Sequence, residues 1–187
     1  TALELAEAMG IELGELRFLT FTRRVSRVSH YRRFQMPKKR GGVRHISAPM
    51  PRLKRAQRWV LDELLSGVPL HDAAHGFVPE RSIATNAAPH VGADVVVNMD
   101  LQDFFPTVTY RRVKGLWRAL GYGEQVATIL ALLCTEPATD ETRLDGQTFF
   151  VAKGERVLPQ GAPTSPALTN VLCRRLDARM QGMADHF

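Results

Sequence analysis

Acidic side chains are missing from a long part of this sequence. The sequence also lacks a long apolar run and a CxxC pattern, which limits the classes of protein that it can belong to. Between Leu16 and Leu61 there is no Asp or Glu, although 14 of the 25 Lys and Arg residues lie there. No apolar run reaches the roughly 18 residues that a membrane-spanning helix needs, so no membrane partner is expected. The two cysteines, Cys134 and Cys173, form no CxxC pattern, which favours reduced thiols in a cytoplasmic protein.

The basic block at 16–61 predicts a polyanionic partner, most often a nucleic acid. The rest of the chain carries 11 basic and 19 acidic residues, so the positive charge is concentrated in one place. Aromatic and apolar residues are interleaved with the cations, which favours a folded surface. The alternative is a solvated basic face without a partner.

Hydrophobic periodicity and Gly/Pro punctuation predict an α+β chain without internal repeats. Helices are expected at 1–9, 13–21, 51–65, 82–90, 108–120, 124–133 and 162–183. Strands are expected at 31–36 and 43–47, joined by a basic turn, and at 94–100, where the apolar run predicts a strand buried on both faces. A second hairpin is expected to turn at Lys153 and Gly154.

The stretch VVVNMDLQDFFP, at 95–106, places Asp100 at the exit of that third strand, with Asp103 three residues later. One carboxylate and a nearby carbonyl oxygen form half of a site for a hard cation such as Mg²⁺. The alternative is that Asp103 is an N-cap of the helical turn that follows. These residues alone leave the choice open.

Two other stretches have the composition of an anion-binding site. In LPQGAPTSP, at 158–166, Gly161 and Pro163 lead into a helix N-terminus, and Gln160 offers an amide beside it. In MPKKRGGVRHI, at 36–46, cations surround a glycine turn that is suited to close over a triphosphate. For the stretch at 158–166, the alternative is a loop whose Pro and Gly residues only start a helix. For the stretch at 36–46, the alternative is a basic turn that binds no specific ligand.

These stretches, together with HGFVPERSIATNAAPH at 75–90, resemble successive blocks of a reverse transcriptase in order and spacing. The resemblance extends from about Tyr31 to Asp177. Asn86 and His90 match the NAxxH signature of the retron-type bacterial enzymes, and QGAPTSP is also their form. Group II intron and diversity-generating reverse transcriptases are similar and rank second.

The resemblance implies the right-hand polymerase fold, represented by the fingers and part of the palm. Residues 1–30 would form an N-terminal helical extension. Residues 31–92 and 107–157 would form the fingers. Residues 93–106, with the first catalytic strand, and 158–187, with the helix after the QG motif, would belong to an incomplete palm.

The resemblance also implies roles for individual residues around the nucleotide. Asp100 would be the catalytic metal ligand, and Leu101 would add its backbone carbonyl. Lys38 and Arg44 would hold the β- and γ-phosphates. The ring of Phe105 would crowd a ribose 2′-hydroxyl and so favour dNTPs, although a plain core position is the alternative for this residue.

The remaining implied roles concern the nucleotide's surroundings and the template. Gln160 would lie near the 3′-hydroxyl and base, and Asp103 would buttress the turn near the phosphates. Arg81 would either hold a template phosphate or cap its own loop. The template and primer track would be supported by Gly161, Ser165 and Pro166. Asn86 and His90 would form a family-specific element whose role the sequence does not indicate.

The implied activity is RNA-directed DNA synthesis by two-metal nucleotidyl transfer, with two Mg²⁺ ions in the complete enzyme. The implied partners are dNTPs, a structured non-coding RNA that serves as template and primer, the RNA–DNA hybrid, and in many retrons a defence effector protein. No YxDD motif occurs in the sequence, so this part alone is expected not to extend a primer. A non-catalytic RNA-binding module is the alternative from another class.

Overall fold

The computed structural model describes residues 1–21, 23–38 and 41–186 and has a mixed α+β architecture. Two helices, α1 (Ala2–Ala8) and α2 (Leu13–Thr20), precede the short strand β1 (Val25–Ser26). The α1 helix begins with a reciprocal capping box between Thr1 and Glu4, as expected when a hydroxyl residue stands three positions before a glutamate. Both helices confirm the predicted periodicity.

The first hairpin pairs β2 (Tyr31–Pro37) with β3 (Val43–Pro49) in one antiparallel register from Tyr31 opposite Pro49 to Pro37 opposite Val43. This confirms the predicted basic hairpin. Helix α3 (Pro51–Trp59) follows, with a proline at its start as the sequence indicates, and continues as a π-helical turn (Val60–Leu65). The α4 helix (Ile83–Ala87) and a 3₁₀ turn (Ala88–His90) follow the loop at 66–82.

The second half of the chain contains α5 (Phe104–Thr107), α6 (Tyr110–Ala119), α7 (Glu124–Cys134), the strands β4 (Glu136–Leu144) and β5 (Gln147–Val157), and the long helix α8 (Thr164–Ala184). Strand β5 lies between β1 and β4 in a three-stranded antiparallel sheet. The predicted helices at 108–120, 124–133 and 162–183 are confirmed with small changes in their bounds.

The core lies around α7, against which α1, α2, α3 and α6 pack. Its largest fully buried side chains include Trp117, Leu130, Leu133 and Leu168. Both cysteines are free thiols, but only Cys134 is fully buried, and burial raises the pKa of its thiol to about 12. No helix in the described part of the chain is long and apolar enough to cross a membrane.

The predicted turn of the second hairpin is wrong. The chain reverses at Asp145 and Gly146, whose φ angles are 50° and 72°. Two consecutive left-handed residues form the turn that matches the twist of a hairpin, and Asp-Gly is a preferred sequence for it. Gly154 instead lies inside β5, beside the point where the register with β4 shifts.

The predicted strand at 94–100, buried on both faces, is also wrong for this structure. Residues 95–100 have no strand conformation, and the side chains of Val95, Val97 and Met99 are 78%, 72% and 67% exposed. Among the described residues, no strand runs beside them. A β-branched run forms a strand only where a neighbouring strand pairs with its N–H and C=O groups, and no described strand does so here.

Candidate functional site

The loop at 158–162 docks against the basic hairpin. The backbone N–H of Ser47 on β3 donates to the carbonyl of Gln160 at 2.8 Å. Gly161 has φ 123°, and a Cβ at this position would lie 3.0 Å from Ile46 Cγ2 and 3.1 Å from the Ser47 carbonyl oxygen. Only glycine combines this backbone conformation with such a close approach, so Gly161 makes the junction possible.

The side chain of Gln160 joins two parts of the predicted site. In the amide orientation that satisfies both groups, its nitrogen donates to the carbonyl of His45 and its oxygen accepts from Arg44 Nε, each at 3.3 Å. Two predicted nucleotide-binding residues, 116 positions apart in the numbering, are therefore neighbours. Gln160 is half-buried and Arg44 is exposed, so the guanidinium keeps donors free to bind an anion.

The tip of the hairpin carries Lys38, whose side chain is exposed. The Lys38 N–H donates to the Gly42 carbonyl at 3.0 Å, and the Gly41 N–H donates to the Lys38 carbonyl at 3.1 Å, which closes the turn. Lys39 and Arg40, the other predicted cations of this tip, lie outside the described residues. The described part thus presents Lys38 and Arg44 as cations of this hairpin, with the amide of Gln160 beside Arg44.

The start of α8 holds the loop in place from the other side. The hydroxyl of Ser165, whose residue is 1% exposed, donates to the Pro159 carbonyl at 2.7 Å. Pro166, half-buried, occupies the first turn of the same helix. Ser165 therefore holds the loop that carries Gln160 and Gly161, and the template and primer roles of Ser165 and Pro166 stay predictions.

Phe105 is linked to the same loop through the backbone. Its carbonyl accepts from the Val108 N–H at 3.1 Å, and the Val108 carbonyl accepts from the Leu158 N–H at 3.0 Å. Its ring stacks on Phe104 with centroids 6.4 Å apart and is half-buried against the core. The ring therefore has a packing role, and its role beside the sugar stays a prediction.

Asp100, Leu101 and Asp103 lie on the exposed segment that precedes α5. Asp103 occupies the N-cap position of α5 with φ 46°, but its side chain makes no capping hydrogen bond. Asp103 therefore stands at the N-cap position that the alternative interpretation predicted, but its side chain makes no capping hydrogen bond. Among the described residues, no three His, Cys, Asp or Glu side chains gather where they could hold a metal ion.

Arg81 closes the loop at 71–81. Its guanidinium donates to the carbonyls of His71 at 3.1 Å and Ala74 at 2.6 Å, contacts the Asp72 carbonyl, and pairs with the Asp72 carboxylate at 3.1 Å. This is the loop-capping alternative that the sequence left open. A template contact would have to compete with these bonds.

Asn86 and His90 are both exposed at the 83–90 helical segment. The Asn86 N–H donates to the Ser82 carbonyl at 3.0 Å, an ordinary first-turn bond. Nothing in their surroundings indicates a catalytic role, and the function of this pair stays open.

A buried polar network that sequence reasoning missed fixes the hairpin to the core. Gln57 on α3 donates to the Tyr31 hydroxyl at 3.0 Å and to the Leu133 carbonyl at 2.8 Å. Arg33 on β2 pairs with Glu136 on β4 at 2.7 Å. A glutamine on the apolar stripe of α3, between Ala56 and Val60, was the signal that could have revealed the network.

Burial dominates the electrostatics of this network. It raises the pKa of the Glu136 carboxyl, against the opposing effects of a Ser47 hydrogen bond and of Arg33. It also raises the pKa of the Tyr31 hydroxyl. Because Ser47 also bonds Gln160, the network connects the core directly to the junction of the hairpin and the 158–162 loop.

Comparisons with known families and with curated proteins all find similarity to reverse transcriptases. The family described as "Reverse transcriptase (RNA-dependent DNA polymerase)" matches residues 36–186. The chain is 52% identical to the Retron Mx162 reverse transcriptase of Myxococcus xanthus over 96% of its own length and 37% of that protein's. It is 51% identical to the Retron Mx65 reverse transcriptase of the same organism, covering 98% of the chain and 43% of the relative.

A more distant relative agrees with these two. The Retron Ec86 reverse transcriptase of Escherichia coli is 34% identical over 97% of the chain and 50% of its own length. The chain therefore spans half or less of the length of these curated relatives, while nearly all of it is matched.

Proposed function

Because the chain belongs to the reverse transcriptase (RNA-dependent DNA polymerase) family, we propose that it acts as part of a retron-type RNA-directed DNA polymerase. The observation that carries this proposal is the contact of Arg44 with Gln160 across the docked hairpin and loop. The retron relatives favour this reading over the group II intron and diversity-generating alternatives.

In the proposed reaction the primer hydroxyl attacks the α-phosphate of a dNTP, and pyrophosphate leaves. Lys38 and Arg44 bind the β- and γ-phosphates and stabilise the charge that develops on the leaving group. Gln160 contacts the base or the 3′-hydroxyl, and Phe105 limits the space for a 2′-hydroxyl. Asp103 lies near the phosphates as a support, and Gly161, Ser165 and Pro166 shape the track of template and primer.

Mg²⁺ is the proposed cofactor, with two ions in the complete enzyme. Asp100 and Leu101 are exposed residues, and a carboxylate and a backbone carbonyl are the oxygen donors that Mg²⁺ prefers, but two ligands are half of a site. When bound, the ion would neutralise phosphate charge. Within the described residues, no cluster supplies the remaining ligands, so the 187-residue chain would hold Mg²⁺ weakly.

The proposed template and first primer is a structured non-coding RNA, and the product is an RNA–DNA hybrid. A cytoplasmic location is proposed from the two free thiols, and a defence effector protein as a further partner is proposed on the family resemblance alone. Arg81, already bonded within its loop, is kept as a positioning residue for the template strand.

Primer extension tests the proposal. The complete product of the gene that encodes this sequence is assayed with an RNA template, a DNA primer, dNTPs and Mg²⁺, beside the 187-residue chain. We expect the complete product to incorporate dNTPs and the 187-residue chain not to. Asp100→Asn should abolish incorporation, and Arg44→Ala should raise the KM for dNTPs.

Asp94→Asn, in the same exposed segment, is the matched control for Asp100→Asn and should keep activity. A complete product without any incorporation, but with RNA affinity, would favour the rival function. That rival is a non-catalytic RNA-binding module, and the observation in its favour is the unpartnered position of Asp100 within the described residues.

A further inference from the structure

A cleft that the proposed polymerase site does not use lies beside β1 and β5. It has a volume of about 670 Å³ and is lined by Phe21, by residues between 23 and 30, by the start of β2 and by residues of β4 and β5. None of the residues assigned above to nucleotide, metal or template lines it. The proposed polymerase site therefore does not account for this cleft.

The lining of the cleft is strongly positive. Its cationic residues are Arg23, Arg24, Arg33, Lys153 and Arg156, whereas Glu136 is the one carboxylate among the described lining residues. Glu136 pairs with Arg33, and Arg156 is bonded to the Leu132 carbonyl at 2.9 Å. Lys153 pairs with Asp140.

Arg23 and Arg24 carry the charge that the other groups leave uncompensated. Both are exposed, and neither forms an ion pair within the described part of the chain. Two adjacent arginines without carboxylate partners, at the edge of a concave surface, attract phosphate groups.

The sheet holds these arginines in place. Val25 and Ser26 pair with Val151 and Phe150 on β5, and the Ala152 N–H donates to the Arg24 carbonyl at 2.8 Å. The backbone at Arg24, next to Arg23, is therefore anchored before any ligand arrives. Preorganisation of this kind lowers the entropic cost of binding.

An aromatic platform stands beside the cations. Phe21 is 60% exposed and lines the cleft, and the Arg23 guanidinium lies 5.0 Å from the centre of its ring. An exposed ring next to a guanidinium is suited to stack an unpaired base while the cation meets the adjoining phosphate. Bases in a duplex are already stacked and would not reach the ring.

We propose that this cleft is a second nucleic-acid subsite, which binds a single-stranded RNA segment outside the polymerisation site. Arg23 and Arg24 contact consecutive phosphates, and Phe21 stacks one base. That the ligand is RNA rests on the function proposed above, whereas the cleft, its charge and its aromatic ring do not depend on it.

The test is a binding titration of the 187-residue chain with a fluorescein-labelled single-stranded RNA of about 12 nucleotides, at several salt concentrations. The double variant Arg23→Ala/Arg24→Ala should lose about ten-fold in affinity at low salt, and its slope of log K against log salt should be shallower by about 1.4, because two phosphate contacts are lost. Phe21→Ala should weaken binding by about five-fold or more with the slope unchanged.

The matched control is Arg174→Ala/Arg175→Ala, which removes the same charge from two adjacent exposed arginines on α8, outside the cleft and outside the basic block at 16–61. Circular dichroism checks that each variant is folded. The proposal is overturned if the control loses as much affinity as the cleft variant, if Phe21→Ala binds like the wild type, or if an RNA duplex binds as well as the single strand.

Failure of this proposal can be told apart from failure of the polymerase proposal. Unchanged RNA binding by the cleft variants, together with primer extension by the complete gene product, would remove the subsite and leave the polymerase. Weakened binding by the cleft variants, without any primer extension, would leave the subsite as part of an RNA-binding module.

Discussion

The junction of the hairpin with the 158–162 loop and the segment at 94–103 were both predicted to carry the chemistry, yet they differ in what supports them. The junction is held by the Ser47–Gln160 bond, by the close approach of Gly161 and by Ser165 beneath it. The segment with Asp100 is exposed and pairs with no described strand. The segment predicted to bind the nucleotide is therefore supported by packing and hydrogen bonds, whereas the segment predicted to bind the metal is not.

The largest expected difference between the two regions is in packing. Changing Leu168, fully buried on the helix α8 that follows the loop, to Ala should lower the free energy of unfolding by about 2–5 kcal/mol. Leu101, 54% exposed, should cost less than about 0.5 kcal/mol for the same change. Urea unfolding of the two variants measures this. Equal losses would show that the 94–103 segment is packed after all.

The second expected effect concerns the junction itself. Gly161→Ala should destabilise the protein by about 1–3 kcal/mol, because the new methyl group meets Ile46 and Ser47 and the backbone is left-handed. Gly182→Ala, on α8 with open space around it, is the control and should be neutral or slightly stabilising. A Gly161→Ala variant as stable as the wild type would mean that the loop docks less tightly than described.

The third effect is on sugar selectivity in the complete gene product. Phe105→Val should lower the preference for dNTPs over rNTPs by about ten-fold, or about 1.4 kcal/mol, because the ring no longer crowds the 2′-hydroxyl. Phe104→Val, the stacked neighbour with similar burial, should leave the preference unchanged. Selectivity that changes in neither variant would reduce Phe105 to a packing residue.

The smallest expected effect is the pH dependence of the stability that His30 contributes. Burial lowers the pKa of His30, against a bond to the Phe18 carbonyl, and the nearby Arg52 and Arg156 lower it further. The unfolded chain therefore binds the proton more readily, so stability is lost as the pH falls below about 6.5 towards the folded pKa. Unfolding midpoints at pH 7.5 and 5.5 should differ less in His30→Gln than in the wild type, and parallel profiles would contradict this.

Local sequence patterns predicted most helices and strands correctly. They failed where the pairing of one strand with another decides the structure. Asp145–Gly146 and Lys153–Gly154 both offer a glycine for a turn, and the alignment of β4 with β5 selects the first. The run at 95–97 has the composition of a buried strand, but composition supplies no neighbouring strand. Gln57 stands at a core position of its helix. A polar side chain is tolerated there because it donates to the buried Tyr31 hydroxyl and Leu133 carbonyl, which the sequence does not show.

By itself, the sequence determined the helices, the basic hairpin, the concentration of positive charge and the family resemblance, because periodicity, turn chemistry and motifs act over a few residues. Only the tertiary structure decided that Arg44 meets Gln160, that Arg81 is bonded within its own loop, and that Arg23 and Arg24 border a separate cleft. Such contacts join distant positions, and their formation depends on which surfaces are buried together and which hydrogen-bond partners that burial brings within reach.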